Sequence, residues 1–212
     1  DIAYMNPISS HLEIELNNRL NINGNSNSNA VWQFHVDYLL NKNIRLSLNY
    51  LIDEFVLDPG IEIGKENGKA YSYRISYTPF NTINHLFTFY TTLVYVGTPT
   101  FRHNIGTNNF VQKNKPLGWI RGSDGSELTF GINYFNKKNI IFSFLLGFLK
   151  TGDETILKRI FDPYEDYLKG DFPSGSVEHQ KNINTKLSYL INKKTSLSLE
   201  LDLKSEHTSM IN

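Results

Sequence analysis

The residue types best suited to chemistry lie in a long polar stretch at residues 97–126. Arg102 and His103 are adjacent there, and such a pair could act as a general acid and base. A solvated loop pair is the simpler interpretation, because the chain has no nucleophile elbow, no HExxH motif and no phosphate-binding glycine loop. We therefore predict no catalytic residue and no cofactor.

A second polar stretch, at residues 150–176, is rich in carboxylates that could bind calcium through oxygen ligands. Their spacing matches no EF-hand loop, so a solvated acidic loop is the favoured interpretation and no metal site is predicted. The carboxylates concerned are Asp153, Glu154, Asp162, Glu165, Asp166 and Asp171.

The stretch at residues 97–126 also carries groups that suit a sugar ligand, on a backbone interrupted by glycines. The apolar faces of sugar rings stack on aromatic side chains, and planar polar groups make paired hydrogen bonds with hydroxyls. A loop that packs on itself and plugs an interior is equally compatible with this composition. The candidate groups are the side chains of Trp119, Arg102, Arg121, Asp124, Asn108, Asn109 and Gln112.

Period-two alternation organises the rest of the chain and predicts about nine β-strands. Each segment has an apolar face and a polar face; in residues 11–22, for example, leucine and isoleucine occupy most even positions. The only helical candidate is a turn or two at residues 154–160, which Pro163 limits. The predicted strands cover residues 11–22, 30–40, 44–52, 71–77, 85–96, 128–134, 140–148, 177–191 and 195–203.

The connections alternate in length between a few residues and many, the longest being residues 97–126 and 150–176. Long strands with short turns at one end and long loops at the other are typical of transmembrane β-barrels. The predicted fold is therefore all-β, an antiparallel up-and-down transmembrane β-barrel of about nine strands, in a single domain over residues 1–212. A soluble β-sandwich is the alternative, but soluble strands usually have only about five or six residues.

In such a barrel the apolar faces contact lipid and the polar faces line the interior, where acids and bases neutralise one another. The segments carry interleaved charges on their polar faces, as this arrangement requires. The predicted interior residues are Glu13, Glu15, Arg19, His35, Asp37, Arg45, Asp53, Arg74, Glu127, Lys186, Glu200, Asp202 and Lys204.

The composition of the chain gives no support for a nucleic-acid partner or for cysteine-based sites. The 21 basic and 21 acidic residues leave no net charge, so nothing points to nucleic acid. Cysteine is absent, which excludes a disulfide framework and a thiolate metal site.

Bacterial single-chain barrels have an even number of strands. An odd count therefore predicts at least one further strand beyond residue 212, and we expect the chain to be part of a larger barrel.

Five short motifs are spread over most of the chain. They are RH at residues 102–103, KPLG at 115–118, GSDGSEL at 122–128, LIDEF at 51–55 and FPSGSVE at 172–178. Together they resemble the motifs of the Wzi-like capsule assembly proteins. The sequence departs from that pattern in a glycine at residue 125, where the family has serine, and in a glutamate at residue 54 in place of aspartate.

The resemblance implies a non-enzymatic, lectin-like barrel in the bacterial outer membrane that binds surface polysaccharide and aids capsule assembly or attachment. The expected partners are outer-membrane lipid and surface or capsular polysaccharide. An outer-membrane porin or diffusion channel, and a soluble β-rich binding domain, are the alternatives. The predicted polysaccharide-binding residues are Arg102, His103, Trp119, Arg121 and Asp124.

Overall fold

One antiparallel sheet dominates the structure, a computed structural model that describes residues 31–53, 66–103, 105–160 and 170–210. Eight strands pair in the order β1-β2-β3-β4-β7-β8-β9-β10, so neighbours in the sheet are neighbours along the chain apart from a separate two-stranded hairpin, β5-β6. The strands are β1 (Trp32–Asn41), β2 (Ile44–Ile52), β3 (Lys69–Asn81), β4 (Leu86–Val96), β5 (Val111–Gln112), β6 (Lys115–Pro116), β7 (Gly125–Phe135), β8 (Ile140–Thr151), β9 (Ser176–Asn192) and β10 (Thr195–Met210).

The all-β, antiparallel, up-and-down prediction is confirmed for eight of the predicted strands, while the strand predicted at residues 11–22 lies outside the described residues. Several strands extend beyond the prediction, β10 as far as Met210. The helical candidate at residues 154–160 is wrong, because this segment forms hydrogen-bonded turns. Within the described sheet β1 and β10 are edge strands that do not pair with each other, so it forms no closed barrel.

Short turns join the strands at one end of the sheet, which we call the turn end, and long connections join them at the other, the loop end. Among the described residues, no helix has the length and apolar character needed to cross a membrane.

One face of the sheet is mainly apolar on all eight strands, and no described element packs over it. Neighbouring side chains along a strand point to opposite faces of the sheet. The pairing register aligns the strands so that their apolar residues lie side by side on the same face. Many of these side chains are exposed; that of Ile75, for example, is 50% exposed in the middle of the sheet. One cross-strand row that spans all eight strands consists of Tyr38, Leu46, Ile75, Thr91, Phe130, Leu146, Ile183 and Leu203.

The opposite face carries a network of cross-strand polar contacts. Arg45 forms an ion pair with Asp37, and the guanidinium of Arg74 lies 4.0 Å above the ring of Tyr90. The described residues predicted to line an interior lie on this face or at its loop end; Glu13, Glu15 and Arg19 lie outside the described residues. Further contacts on this face are His35–Asn49 at 2.8 Å, Lys186–Glu200 at 3.5 Å and Gln180–Glu206 at 2.8 Å.

Two glycines on the polar face allow a test of its packing. A Cβ atom at Gly131 would lie 2.0 Å from the ring of Tyr90, whereas one at Gly147 would find its nearest neighbour at 3.7 Å. We expect Gly131→Ala to displace Tyr90 from its place beneath Arg74 and to lower the free energy of unfolding by about 1–3 kcal/mol. Gly147→Ala is the matched control, and we expect it to be neutral or stabilising by up to about 1 kcal/mol.

Urea unfolding followed by far-UV circular dichroism measures both changes. Equal midpoints for the two variants would contradict the role assigned to the Tyr90 ring.

Candidate functional site

The loops that follow β4 and β8 fold back over the polar face at the loop end, and we call residues 97–124 and 152–160 the loop cap. Ala70 and Val96 are paired across β3 and β4 at positions that continue the polar face. They form a buried core with Phe101 and Ile156 from the cap, whose side chains are 2% and 0% exposed. The cap is therefore packed on the polar face of the sheet and not extended away from it.

Local backbone features shape the first part of the cap. The ring of Phe101 lies so close to Gly118 that a Cβ atom there would be 2.2 Å away, and it stacks on Phe110 at 5.7 Å. Lys113 and Asn114 both have positive φ, which forms the type I′ turn of the β5-β6 hairpin. A 3-10 turn at Gly106–Asn108 precedes this hairpin. The stretch expected to lack regular structure therefore contains two short ordered units.

A buried carboxylate joins the separate parts of the cap. Asp124 is 0% exposed, and its Oδ1 accepts hydrogen bonds from the Thr98 hydroxyl at 2.9 Å and from the Ser174 N–H at 3.0 Å. Its Oδ2 accepts from the Glu154 N–H at 3.1 Å and from the Ser174 hydroxyl. A Cβ atom at Gly152 would lie 2.1 Å from this oxygen. Asp124 thus connects three chain segments, and only glycine fits beside it.

Ser123, the residue before Asp124, also forms hydrogen bonds to the second part of the cap. Its hydroxyl accepts the Ile156 N–H at 3.0 Å, and its own N–H donates to the Thr155 hydroxyl at 3.3 Å. The Thr155 hydroxyl in turn donates to the carbonyl of Arg121 at 3.2 Å. Both parts of the cap are therefore held by hydrogen bonds as well as by the apolar core.

The Arg102 side chain is also enclosed. It is 0% exposed, and its guanidinium donates to the main-chain carbonyls of Arg159, at 2.9 Å, and Glu154. The preceding N–H, that of Phe101, donates to the buried carboxylate of Asp53. Through these hydrogen bonds, Arg102 and Asp53 position the loops of the cap.

His103 is buried next to Arg102 and is held by Asn109. The amide oxygen of Asn109 accepts the His103 N–H at 2.8 Å, and its nitrogen donates to the Ile160 carbonyl at 2.7 Å. The imidazole Nδ1 accepts the Ile105 N–H at 3.0 Å. Because that nitrogen is already occupied by a backbone donor, the arrangement does not resemble an exposed acid–base pair.

Two of the predicted polysaccharide-binding residues, Trp119 and Arg121, are only partly buried. The indole Nε1 of Trp119 lies 3.4 Å from Oε2 of Glu127 on the polar face, to which it donates. Ile120 between them is 78% exposed, and nearby Leu117 is 50% exposed. Trp119 packs against the buried core while part of it remains exposed, and Arg121 is likewise only partly buried, whereas Arg102, His103 and Asp124 are enclosed.

Two described carboxylates of the acidic loop have structural contacts. The described residues contain no group of three or more metal-ligating side chains, and Asp162, Glu165 and Asp166 lie outside them. Asp153 instead accepts the Ser176 N–H at 2.7 Å and pairs with Lys158 at 3.3 Å. The Ser176 N–H is the main reason that the pKa of the Asp153 carboxyl lies below its ordinary value, against the opposing effect of burial.

Sequence reasoning missed the residues of the acidic loop that complete the cap. Ser174 and Gly152 contact Asp124 although Ser174 is 50 residues away along the chain. In the sequence, the FPSG motif at residues 172–175 supports the family resemblance but predicts no contact with Asp124. A cis peptide bond at Phe172-Pro173 and a positive φ at Gly175 give this segment its conformation.

Replacing the buried carboxylate tests whether Asp124 holds the cap together. Asp124→Asn keeps one acceptor oxygen but turns an amide NH₂ group toward donors, which costs about 1–3 kcal/mol. We expect the cap to open more often and trypsin to cleave it at Lys113 or Lys158 about tenfold faster or more, since opening governs such cleavage. Asp171→Asn changes an exposed carboxylate in the neighbouring loop and should leave the rate unchanged.

Limited proteolysis under native conditions gives these rates. Unchanged cleavage in Asp124→Asn would show that the apolar core alone holds the cap.

Comparison with known proteins leaves the function to be argued from geometry. No family model, no curated protein and no solved structure matches this chain. The arrangement of the sheet and the loop cap therefore supplies the argument for function.

Proposed function

We propose that this chain forms the wall and the loop cap of an outer-membrane β-barrel that binds surface polysaccharide and aids capsule assembly or attachment. The observation that carries the proposal is the apolar face, which is exposed across all eight strands while the opposite face is polar. Folded proteins in water rarely leave contiguous apolar patches beyond a few hundred Å² uncovered. A soluble sandwich would cover this face with a second sheet, and the described residues provide only the small β5-β6 hairpin.

Strand length agrees with a lipid environment. The eight sheet strands have between 9 and 17 residues. A strand that crosses a membrane needs about 9–11 residues. In a closed barrel the edges of β1 and β10 would also be paired, which removes the unsatisfied backbone groups that an open edge exposes.

Aromatic side chains flank the apolar band at both ends. At the loop end Tyr71 and Tyr95 stack at 4.8 Å, and Phe172 lies 4.4 Å from Tyr95. At the turn end Phe87 and Tyr134 pack at 6.0 Å. Tyr95 and Phe87 lie eight residues apart on β4, about 26 Å at 3.3 Å per residue. At the strand tilt of about 35–45° found in outer-membrane barrels, this length corresponds to about 18–21 Å along the membrane normal, compared with an apolar band of roughly 25 Å between aromatic girdles.

The position of the cap favours a binding barrel over a porin. Its core packs on the interior side of β3 and β4, and hydrogen bonds to Asp124 and Ser123 hold its two parts together. In a closed barrel, a cap packed in this way would lie as an ordered plug at the mouth. The Trp119 ring and the Arg121 guanidinium at the cap surface supply the groups that stack on sugar rings and bind hydroxyls.

Single-channel recording distinguishes the two functions. The full-length protein in a planar bilayer should conduct few ions because the cap closes the mouth, and Asp124→Asn should show more frequent openings. Asp171→Asn serves as the control. A steady, porin-like conductance of the unmodified protein would overturn the binding-barrel proposal in favour of a diffusion channel.

Polysaccharide retention tests the cap surface. Trp119→Ala removes the stacking ring, and we expect binding to surface polysaccharide extracted from the source bacterium to weaken about two- to tenfold. Arg121→Ala should act in the same direction, and Leu117→Ala, which changes an exposed aliphatic residue of the same loop, should not. Affinity chromatography of the purified variants on the immobilised polysaccharide measures the effect. Unchanged retention by correctly folded Trp119→Ala and Arg121→Ala would exclude this surface.

A further inference from the structure

Basic side chains interrupt the apolar face at the loop end of β8, β9 and β10. Lys150 is paired with His179, and His179 with His207, in one cross-strand row. The two imidazole rings stack at 4.8 Å. Lys181 occupies the next row toward the turn end, beside Phe148. We call Lys150, His179, Lys181 and His207 the basic rim.

Among the described residues of β8, β9 and β10, no acid lies on the same face as the basic rim. Alternation along β8, β9 and β10 places Glu178, Glu200, Asp202 and Glu206 on the opposite, polar face. There they have their own partners, for example Gln180 for Glu206 and Lys186 for Glu200. In the part of the chain that the structure describes, neither Lys150 nor Lys181 forms an ion pair, and both are exposed. Lys150 and Lys181 therefore form a cationic patch that no described acid neutralises.

A depression of about 330 Å³ lies beside the basic rim. On one side it is lined by the rim and by Gln180, and on the other by Leu93, Leu128 and Phe148, which belong to the apolar face. A cationic wall next to an apolar wall suits a ligand that carries a negative headgroup on a hydrocarbon chain. Lysine side chains reach such a headgroup while their methylene stems lie on apolar surface.

We propose that the basic rim binds the phosphate headgroup of an anionic membrane lipid in the leaflet on the loop side. The inference rests on the proposed function, since it assigns the apolar face to the hydrocarbon layer and the rim to its interface. Lysine ammonium groups bind phosphate through charge-assisted hydrogen bonds, and basic residues at a membrane surface attract anionic lipids. The rim thereby fixes the height of β8–β10 relative to the headgroups.

The test compares lipid binding by variants of the full-length protein in phosphatidylcholine nanodiscs. The probes are fluorescent bisphosphorylated lipid A and the same lipid after removal of its phosphates. We expect the unmodified protein to bind the phosphorylated probe preferentially, and Lys150→Gln/Lys181→Gln to bind it about 30-fold more weakly at low salt. Lys193→Gln/Lys194→Gln removes the same charge at the turn end and should change binding little.

Several outcomes would overturn the lipid site. They are equal binding of the two probes, an equal loss in both double variants, or equally effective competition by inorganic phosphate, which would indicate a free-anion site. Flotation with pure phosphatidylcholine vesicles separates this result from the proposed function. A protein that inserts but has no phosphate preference refutes the lipid site alone, whereas a protein that fails to insert refutes both proposals.

Discussion

The structure depends on a pairing register that is maintained across the sheet. Side chains alternate between faces along each strand, so a slip of one residue in any pairing would move a whole strand's apolar side to the polar face. The register irregularities in the sheet fall between Leu39 and Asn41, between Tyr77 and Phe80, and between Thr195 and Ser196. All three lie beside short turns. Over the rest of the sheet the register is unbroken, so the mainly apolar side chains of neighbouring strands stay on the same face.

The cap contact and the basic rim both lie where a residue departs from the usual polarity of its face. Ala70 and Val96 are apolar residues on the polar face at the loop end, and the cap packs its own apolar residues there. Lys150 and His179 are basic residues on the apolar face at the same end, and they form the rim. In both cases the exception to the pattern lies at the loop end of a strand. On the polar face it marks the contact with the cap, and on the apolar face it marks the proposed contact with lipid headgroups.

Much of the fold could be predicted because alternation is a local property. It identified the strands, their faces and the alternating loop lengths, and the structure confirms these in the part that it describes. It could not show that Asp124 is buried, since the donors from Ser174 and Glu154 lie 50 and 30 residues away along the chain. The same limit applied to Arg102, whose carbonyl partners belong to the acidic loop. Residue type suggested ligand binding for both, and only long-range packing distinguishes them from Trp119.

The end of β8 connects the cap and the rim. Lys150 points to the apolar face, Thr151 lies on the polar face, and Gly152 packs against the Asp124 carboxylate. The pairing of Lys150 with His179 and the hydrogen bond from the Gly152 N–H to the Asp124 carbonyl, at 2.9 Å, need the same backbone path. A ligand stabilises the conformation to which it binds. A ligand that binds the rim only when β8 extends to Thr151 therefore also stabilises the closed conformation of the cap. In the proposed barrel, lipid contact outside and cap order inside are two consequences of one strand end.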